Sequence, residues 1–262
     1  MKNNDFEARM RALEYYHTLK LVPGAWTVLR VDGRGFSRFT EQHFEKPFDP
    51  RLSDLMTVTA QALLEEFQGV YAYTQSDEIS VLFPPGWSLF DRGLEKLVSL
   101  SAATASATFS LACGQRAVFD SRAWIAVRDE DVIDYFRWRQ ADATRCALNG
   151  WAYWTLRQEG ASVTQATEAM RGMTVAAKNE LLHARGVNFN DVPAWQRRGV
   201  GLFWETYDKE GFNPVTRASV TATRRRVKVD PHLPMKDAYG AFMRDRLARA
   251  TNTGGSPPAA RP

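Results

Sequence analysis

The alternation of apolar and polar positions divides the chain into a strand-and-helix first half and a helix-rich second half. Trp26-Thr-Val-Leu-Arg-Val-Asp32 is β-prone and runs into Gly33-Arg-Gly35, which predicts a strand ending in a tight glycine turn. Asp49-Pro50 is a helix start, and Leu52, Leu55, Met56, Thr59, Leu63 and Phe67 follow at helical spacing up to Gly69. Two short β-prone runs, 70–74 and 79–83, flank the polar Gln75-Ser-Asp-Glu78 and predict a hairpin closed by Pro84-Pro-Gly86. Leu94, Leu97, Val98, Ala102, Ala105 and Phe109 predict a second helix over 90–113, with Gly114 as its stop. A run through Val118, Phe119 and Trp124-Ile-Ala-Val127 completes the order β, α, β, β, α, β. That order is the ferredoxin-like split βαβ arrangement of the α+β class, with both helices on one face of an antiparallel sheet.

Beyond residue 128 the pattern turns helical, over 131–158, 163–171 and 175–185, before short strand-like pieces around 200–204 and 227–229. The expected organisation is a catalytic-type domain at 1–128, a helix-rich region at 129–250 packed on it, and a tail at 251–262. The tail is rich in Gly, Pro, Ser and Ala and has no apolar pattern, so it is expected to be disordered.

Composition narrows this picture at three points. The charged N-terminal stretch holds no continuous apolar segment, which argues against a signal peptide or membrane span and makes the cytoplasm the expected location. Cys113 and Cys146 stand alone, without the partners of a disulfide framework or structural zinc site, and read as packing residues. The histidines His17, His43, His183 and His232 have no metal-ligand spacing and read as structural or surface residues. The net charge is only +4, yet residues 217–249 carry nine Lys or Arg against three acidic residues. Such a run is either a solvated face or a source of sequence-independent attraction for phosphates.

The fold hosts many activities, so function rests on residues at particular places. In the split βαβ order the first strand and the hairpin lie side by side, which makes Asp32 and Asp77 neighbours. Two adjacent carboxylates repel unless a cation lies between them, and a pair of Mg²⁺ ions roughly 4 Å apart is the usual solution. The carbonyl of Gly33 is a third candidate ligand, and the phosphates of a nucleotide complete the coordination. The turn Asp32-Gly33-Arg34-Gly35-Phe36-Ser37 offers successive backbone N–H groups, with two glycines permitting unusual φ. Taken alone it reads equally as a plain connection, and Asp77-Glu78 alone as a solvated turn. Lys46 and Arg30 are within sequence reach of the same phosphates. Trp151, Tyr153 and Trp154 read as packing aromatics in preference to base-stacking ones.

Several stretches in order, 30–40, 44–47, Gln75-Ser-Asp-Glu78, Phe119-Asp-Ser-Arg122, Trp138-Arg-Gln-Ala-Asp142 and Ala177-Lys-Asn-Glu180, resemble the tRNA-His guanylyltransferase superfamily. The resemblance runs from about residue 5 to residue 230 and implies a polymerase-palm-type catalytic domain. It implies 3′-to-5′ nucleotide addition to the 5′ end of tRNA, with ATP or GTP activating the 5′-monophosphate before the 3′-hydroxyl of an incoming nucleotide attacks. Carried over by position, Asp32, Gly33 and Asp77 are the implied metal ligands, and Arg34, Gly35, Phe36, Ser37 and Ser76 line the triphosphate. Glu78 adjoins the second carboxylate as a tuning position, and Lys46 and Lys178 are implied in phosphate or activation chemistry. The implied partners are the tRNA acceptor stem, GTP and ATP, and further copies of the chain in a tetramer. One departure bears on substrate. Where eukaryotic members carry His-Ile-Asn-Asn-Leu-Tyr-Asn, this chain reads Thr144-Arg-Cys-Ala-Leu-Asn-Gly150. That loss is similar to the bacterial and archaeal members, and points to templated repair of 5′-truncated tRNA. Untemplated G addition to tRNA-His and a non-catalytic RNA-binding protein stand as alternatives.

Overall fold

The computed structural model describes residues 3–213 and 218–252 of the chain. Helix α1 (Asn3–Ala12) leads into strand β1 (Trp26–Gly33), then helices α2 (Phe36–His43) and α3 (Pro50–Glu66), and the hairpin β2 (Tyr71–Gln75) and β3 (Glu78–Phe83). Helix α4 (Leu94–Cys113) and strand β4 (Phe119–Ala126) close the ferredoxin-like unit. Four helices follow, α5 (Asp129–Gln158), α6 (Val163–Met170), α7 (Val175–His183) and α8 (Ala194–Arg198), then strands β5 (Val200–Asn213) and β6 (Ala218–Asp230) and helix α9 (Lys236–Asn252). The sheet runs β4-β1-β3-β2-β5-β6 and every pairing is antiparallel. The first four strands stand in the expected split βαβ order.

Strand alternation explains how one sheet serves two cores. Leu29, Val31, Ala72, Ile79, Val81 and Phe83 point to the face covered by α3 and α4, where Met56, Leu63, Phe67, Leu97 and Phe109 meet them. Trp26, Val28, Tyr71, Tyr73 and Leu82 point to the other face, covered by Ile133 and Phe136 of α5 and by Tyr239, Met243 and Leu247 of α9. The hydroxyls of Tyr71 and Tyr239 meet at 3.0 Å inside this second core and satisfy each other.

Three expectations need correction. The strand-like pieces near 200–204 and 227–229 are the base of a long hairpin that joins the main sheet through β2, from Thr74↔Val200 to Tyr71↔Phe203. Its outer strand positions are polar on both faces, so they carry no period-two signal. The segment after Gly35 is a helix, α2, which eight residues are too few to announce by apolar periodicity. The second helix begins at Leu94, because Phe90, Asp91 and Arg92 all take positive φ and interrupt it. The expected tail at 251–262 lies outside the described residues except for Thr251 and Asn252, which end α9.

Candidate active site

The site forms where β1 ends beside the β2–β3 turn. Asp32 pairs with Glu78 on β3 and with Asp120 on β4, so three carboxylates stand in a row across three strands on one face. Gly33 donates its N–H to the carbonyl of Asp77 at 3.0 Å and locks the turn against the end of β1. Ser76 occupies that turn at φ 51, a left-handed conformation that costs a serine strain and is tolerated where surrounding structure enforces it. Its hydroxyl donates to the Asp77 carboxylate at 3.1 Å.

These constraints set the charge state of Asp77. Burial pushes its pKa up, and the neighbouring Asp32 pushes it further in the same direction, while Ser76 and Lys46 oppose the shift. Asp32 is steadied by Arg122 of β4 at 3.9 Å, and Arg122 also binds Asp120 at 2.9 Å. The arrangement holds two carboxylates within electrostatic reach of each other, with Arg122 beside one and Lys46 acting on the other. That is the donor set expected of a site for divalent cations.

Glu78, on the face of Asp32, is engaged by α5. Its two carboxylate oxygens accept from Arg139 of α5 at 2.6 and 2.7 Å in a buried bidentate pair, and Asp142 accepts from the same guanidinium at 3.0 Å. Burial nevertheless raises the Glu78 pKa, with Arg139 opposing. Glu78 is thus tied up in holding β3 to α5. Arg30 shares the face of Asp32, as the strand period requires, and lies over the Trp138 ring at 5.8 Å.

Beside the carboxylates opens a cavity of about 400 Å³, bounded by α2, α3, α5 and the β2–β3 turn. Phe36, Ser37, Lys46, Ser76 and Asp77 all line it. Gly35 precedes α2 at φ 71, and no side chain caps the helix, so its first N–H groups and the positive end of its dipole remain available to an anion. Gly33 is required for a different reason from the expected unusual φ. A Cβ there would lie 2.3 Å from the Phe36 ring, which packs directly on the Gly33 backbone. Lys46 donates to the Thr40 hydroxyl and lies 5.6 Å from the centre of the Trp154 ring, and burial lowers its pKa.

Other expected residues sort differently. Arg34 is exposed, and its backbone N–H is spent on the Val118 carbonyl at 2.8 Å. Lys178 stands half-buried on α7, outside the residues lining the cavity. Tyr153 and Trp154 face the cavity, and only Trp151 of that aromatic group belongs to a packing cluster. Cys146 is exposed on α5 at the cavity edge, so the packing reading holds for Cys113 alone; both thiols are free. Sequence reasoning assigned no role to Arg122, Arg139 or Asp142. Their signal was present in the motifs Phe119-Asp-Ser-Arg122 and Trp138-Arg-Gln-Ala-Asp142, but charge alone could not name their partners.

Residues 7–127 match the family described as tRNAHis guanylyltransferase, and residues 130–236 match the family described as Thg1 C terminal domain. The tRNA(His) guanylyltransferase of Schizosaccharomyces pombe is 32% identical over 244 residues, covering 88% of this chain and 94% of the relative. A probable tRNA(His) guanylyltransferase of Drosophila melanogaster is 35% identical over 194 residues, covering 70% of this chain and 68% of the relative. Among solved structures, a bacterial tRNA(His) guanylyltransferase-like protein in complex with GTP superposes at a TM-score of 0.72 with 26% identity, covering 93% of this chain and 99% of that one. The same kind of protein in complex with ATP gives 0.73 at 26% identity, covering 92% and 98%.

Proposed function

The chain belongs to the tRNA(His) guanylyltransferase family, and from that premise we propose that it is a metal-dependent nucleotidyltransferase that extends the 5′ end of tRNA in the 3′-to-5′ direction. The observation that carries this reading is the pair Asp32 and Asp77, within electrostatic reach of each other, with Asp77 half-buried, its pKa raised and its side lining a nucleotide-sized cavity. A cation bound between the two would relieve that repulsion, which supports a ligand site there.

Asp32, Asp77 and the Gly33 carbonyl would hold two Mg²⁺ ions, which supply Lewis-acid activation of the attacking oxygen and charge neutralisation of the triphosphate. The chain's own groups do the remainder. The uncapped start of α2, with Gly35, Phe36 and Ser37, receives phosphate oxygens through backbone N–H groups, and Ser76 and Arg34 flank it. Lys46 faces the same cavity, and its lowered pKa follows from burial that a bound polyphosphate would offset. GTP and ATP are the proposed nucleotides, one activating the tRNA 5′-monophosphate and the other donating a 3′-hydroxyl to it. Lys178, on α7 and outside the lining of the cavity, is proposed to act on the phosphates of a bound substrate.

Templated repair is favoured by Thr144, whose hydroxyl donates to the Arg197 carbonyl at 2.8 Å and so fills a structural position between α5 and α8 where the eukaryotic pattern has histidine. The exposed apolar run Leu13, Tyr15, Tyr16 and Leu19 supports assembly into a homo-oligomer, proposed as a tetramer. Among the described residues no helix is long and apolar enough to cross a membrane, in keeping with cytoplasmic tRNA as substrate.

The deciding assay offers a 5′-monophosphorylated tRNA lacking its first nucleotide, with ATP present to activate the end, each other NTP supplied singly beside it, and Mg²⁺ present or chelated. The expected result is incorporation of the complementary nucleotide alone, lost with chelation and in Asp32→Asn and Asp77→Asn. Preferential G addition to full-length tRNA-His, without regard to the opposing base, would replace the templated reading by the untemplated one. Tight tRNA binding with no incorporation under any condition would leave only RNA binding.

A further inference from the structure

The cavity beside the carboxylates has a second polar end, built on the short helix α8. Bonds to α5, to β2 and to the segment before α9 hold that helix in place. The Thr144 hydroxyl donates to the Arg197 carbonyl at 2.8 Å, the Tyr73 hydroxyl donates to the Arg198 carbonyl at 3.0 Å, and the Arg198 side chain donates to the Leu233 carbonyl at 3.0 Å. Gly199, at φ +71, ends α8 so near the sheet that a Cβ there would lie 2.6 Å from the Tyr73 hydroxyl. Side chains on an element fixed in this way are pre-organised for a ligand. Trp195 and Gln196 of α8 both line the cavity.

The orientation of the Gln196 amide is fixed by chemistry. Its oxygen accepts from the Trp151 indole at 3.0 Å, and an indole N–H is a donor only, so the amide cannot turn its NH₂ to that side without losing the bond. Trp151 stands behind the wall, outside the residues that line the cavity. The end of the amide that faces the cavity is therefore the NH₂, which meets no acceptor among the described residues. Thr40, Asp49 and Thr74 line the same cavity, but their side chains are already engaged by Lys46, by the Arg51 N–H and by the Glu78 carbonyl. A ligand that fills the space supplies an acceptor to Gln196 or leaves a donor unpaired, at a cost in affinity.

We propose that Gln196 contacts the base of the incoming nucleotide, its NH₂ donating to N3 of a purine or O2 of a pyrimidine. This rests on the reading of the chain as a templated tRNA nucleotidyltransferase. The register sets the distance. Val200, just past α8, pairs with Thr74, and Thr74 stands within about 10 Å of Asp77 at the rise of a strand. Phosphates at Asp77 and the start of α2 thus leave the sugar and base to reach toward α8. The choice of atom follows from templating. An enzyme that adds whichever nucleotide complements the template cannot fix a donor against an edge that differs among the four bases, as the major-groove edge does. On the minor-groove edge, purine N3 and pyrimidine O2 are acceptors in all four. A group held as donor only suits that edge alone.

The test measures equilibrium binding of GTP, 3-deaza-GTP and inorganic tripolyphosphate, with Mg²⁺ and without tRNA, to the full-length protein and to its Gln196→Met and Gln196→Glu variants. The deaza analogue carries C–H in place of the N3 acceptor. The unmodified protein is expected to bind it about fivefold more weakly than GTP, the effect of one neutral hydrogen bond. Gln196→Met is expected to bind the two nucleotides alike, at the weaker value, and to bind tripolyphosphate as the unmodified protein does. Gln196→Glu keeps an oxygen for the Trp151 indole, and so its fold, but sets an acceptor against N3 and is expected to prefer the deaza analogue. Equal binding of both nucleotides by the unmodified protein, or binding of neither, overturns the proposal. So does a preference for GTP that survives in both variants. A loss of tripolyphosphate affinity in Gln196→Met as large as its loss for GTP assigns the residue to the phosphates or to folding and overturns it equally. Binding is read without catalysis. Discrimination by a protein that adds no nucleotide to tRNA would remove the proposed activity and leave the contact standing, whereas addition without discrimination would do the reverse.

Discussion

Asp77 carries opposite consequences for activity and for stability. Its pKa is raised, so the folded state holds a proton more tightly than the unfolded chain. The unfolded chain releases that proton first as pH rises through the ordinary carboxylate range near 4, and stability then falls until the raised folded value is passed. At neutral pH the ionised Asp77 is a net cost, and Asp77→Asn is expected to raise the melting temperature slightly while abolishing nucleotide addition. A melt and an addition assay on one preparation check both; a lower melting temperature would contradict the electrostatic account. The same shift places the acid limb of Mg²⁺ affinity above the pH expected of a free carboxylate. Glu78 and Arg139 behave differently, because their bidentate pair is buried on both sides. Arg139→Ala leaves a buried carboxylate without its partner and is expected to cost about 3–5 kcal/mol in denaturant unfolding, whereas Glu78→Gln with Arg139→Met recovers most of it. Sequence reading located Glu78 but not its partner, which lies 61 residues away on another element.

At the scale of elements, two junctions hold the cavity open. Asp49 caps α3, accepting the Arg51 N–H at 2.9 Å and the Glu45 N–H at 2.9 Å, and so ties the segment bearing Lys46 to the helix. Hydrogen bonding from the Arg51 side chain, ahead of the backbone donors, lowers its pKa to about 2 despite burial. The stability it contributes is complete above the unfolded carboxylate value near 4 and is lost as pH falls through about 2. Asp49→Ala is expected to cost about 1–2 kcal/mol at neutral pH and to flatten this acid dependence, measured by urea unfolding at a series of pH values. The other junction is the Phe36 ring on Gly33. Gly33→Ala drives a methyl into that ring, so α2 must shift. The expected outcome is a KM for nucleotide raised at least tenfold with a loss of about 1–3 kcal/mol in stability; unchanged nucleotide affinity would mean that α2 does not hold the phosphates. Asp49-Pro50 was legible as a helix start, because capping is a local rule. The start of α2 was not, because its reason is the packing of Phe36 among Phe39, Phe109 and Phe119.

For the molecule as a whole, the second face of the sheet is covered by helices from both ends of the later chain, α5 and α9. Truncation before residue 236 exposes Tyr71, Tyr73 and Leu82 to water, and the truncated chain is expected to lose cooperative thermal unfolding and to bind a hydrophobic dye. A sharp melt in the truncated chain would show that α5 suffices. The sequence by itself determined the order and type of β1, α3, β2, β3, α4 and β4, because period-two and helical spacing, caps and glycine stops are local physics. It also determined that Asp32 and Asp77 are neighbours, since the split βαβ order leaves β1 and the β2–β3 turn no other relation. Only tertiary structure decided that β5 and β6 extend this sheet, because their long-range pairing with β2 leaves no local mark in an exposed polar strand. Only tertiary structure decided, too, that Glu78 turns to Arg139 while Asp77 turns to the cavity. The two carboxylates are adjacent in sequence, but a strained turn places one against the cavity and a buried guanidinium holds the other against α5.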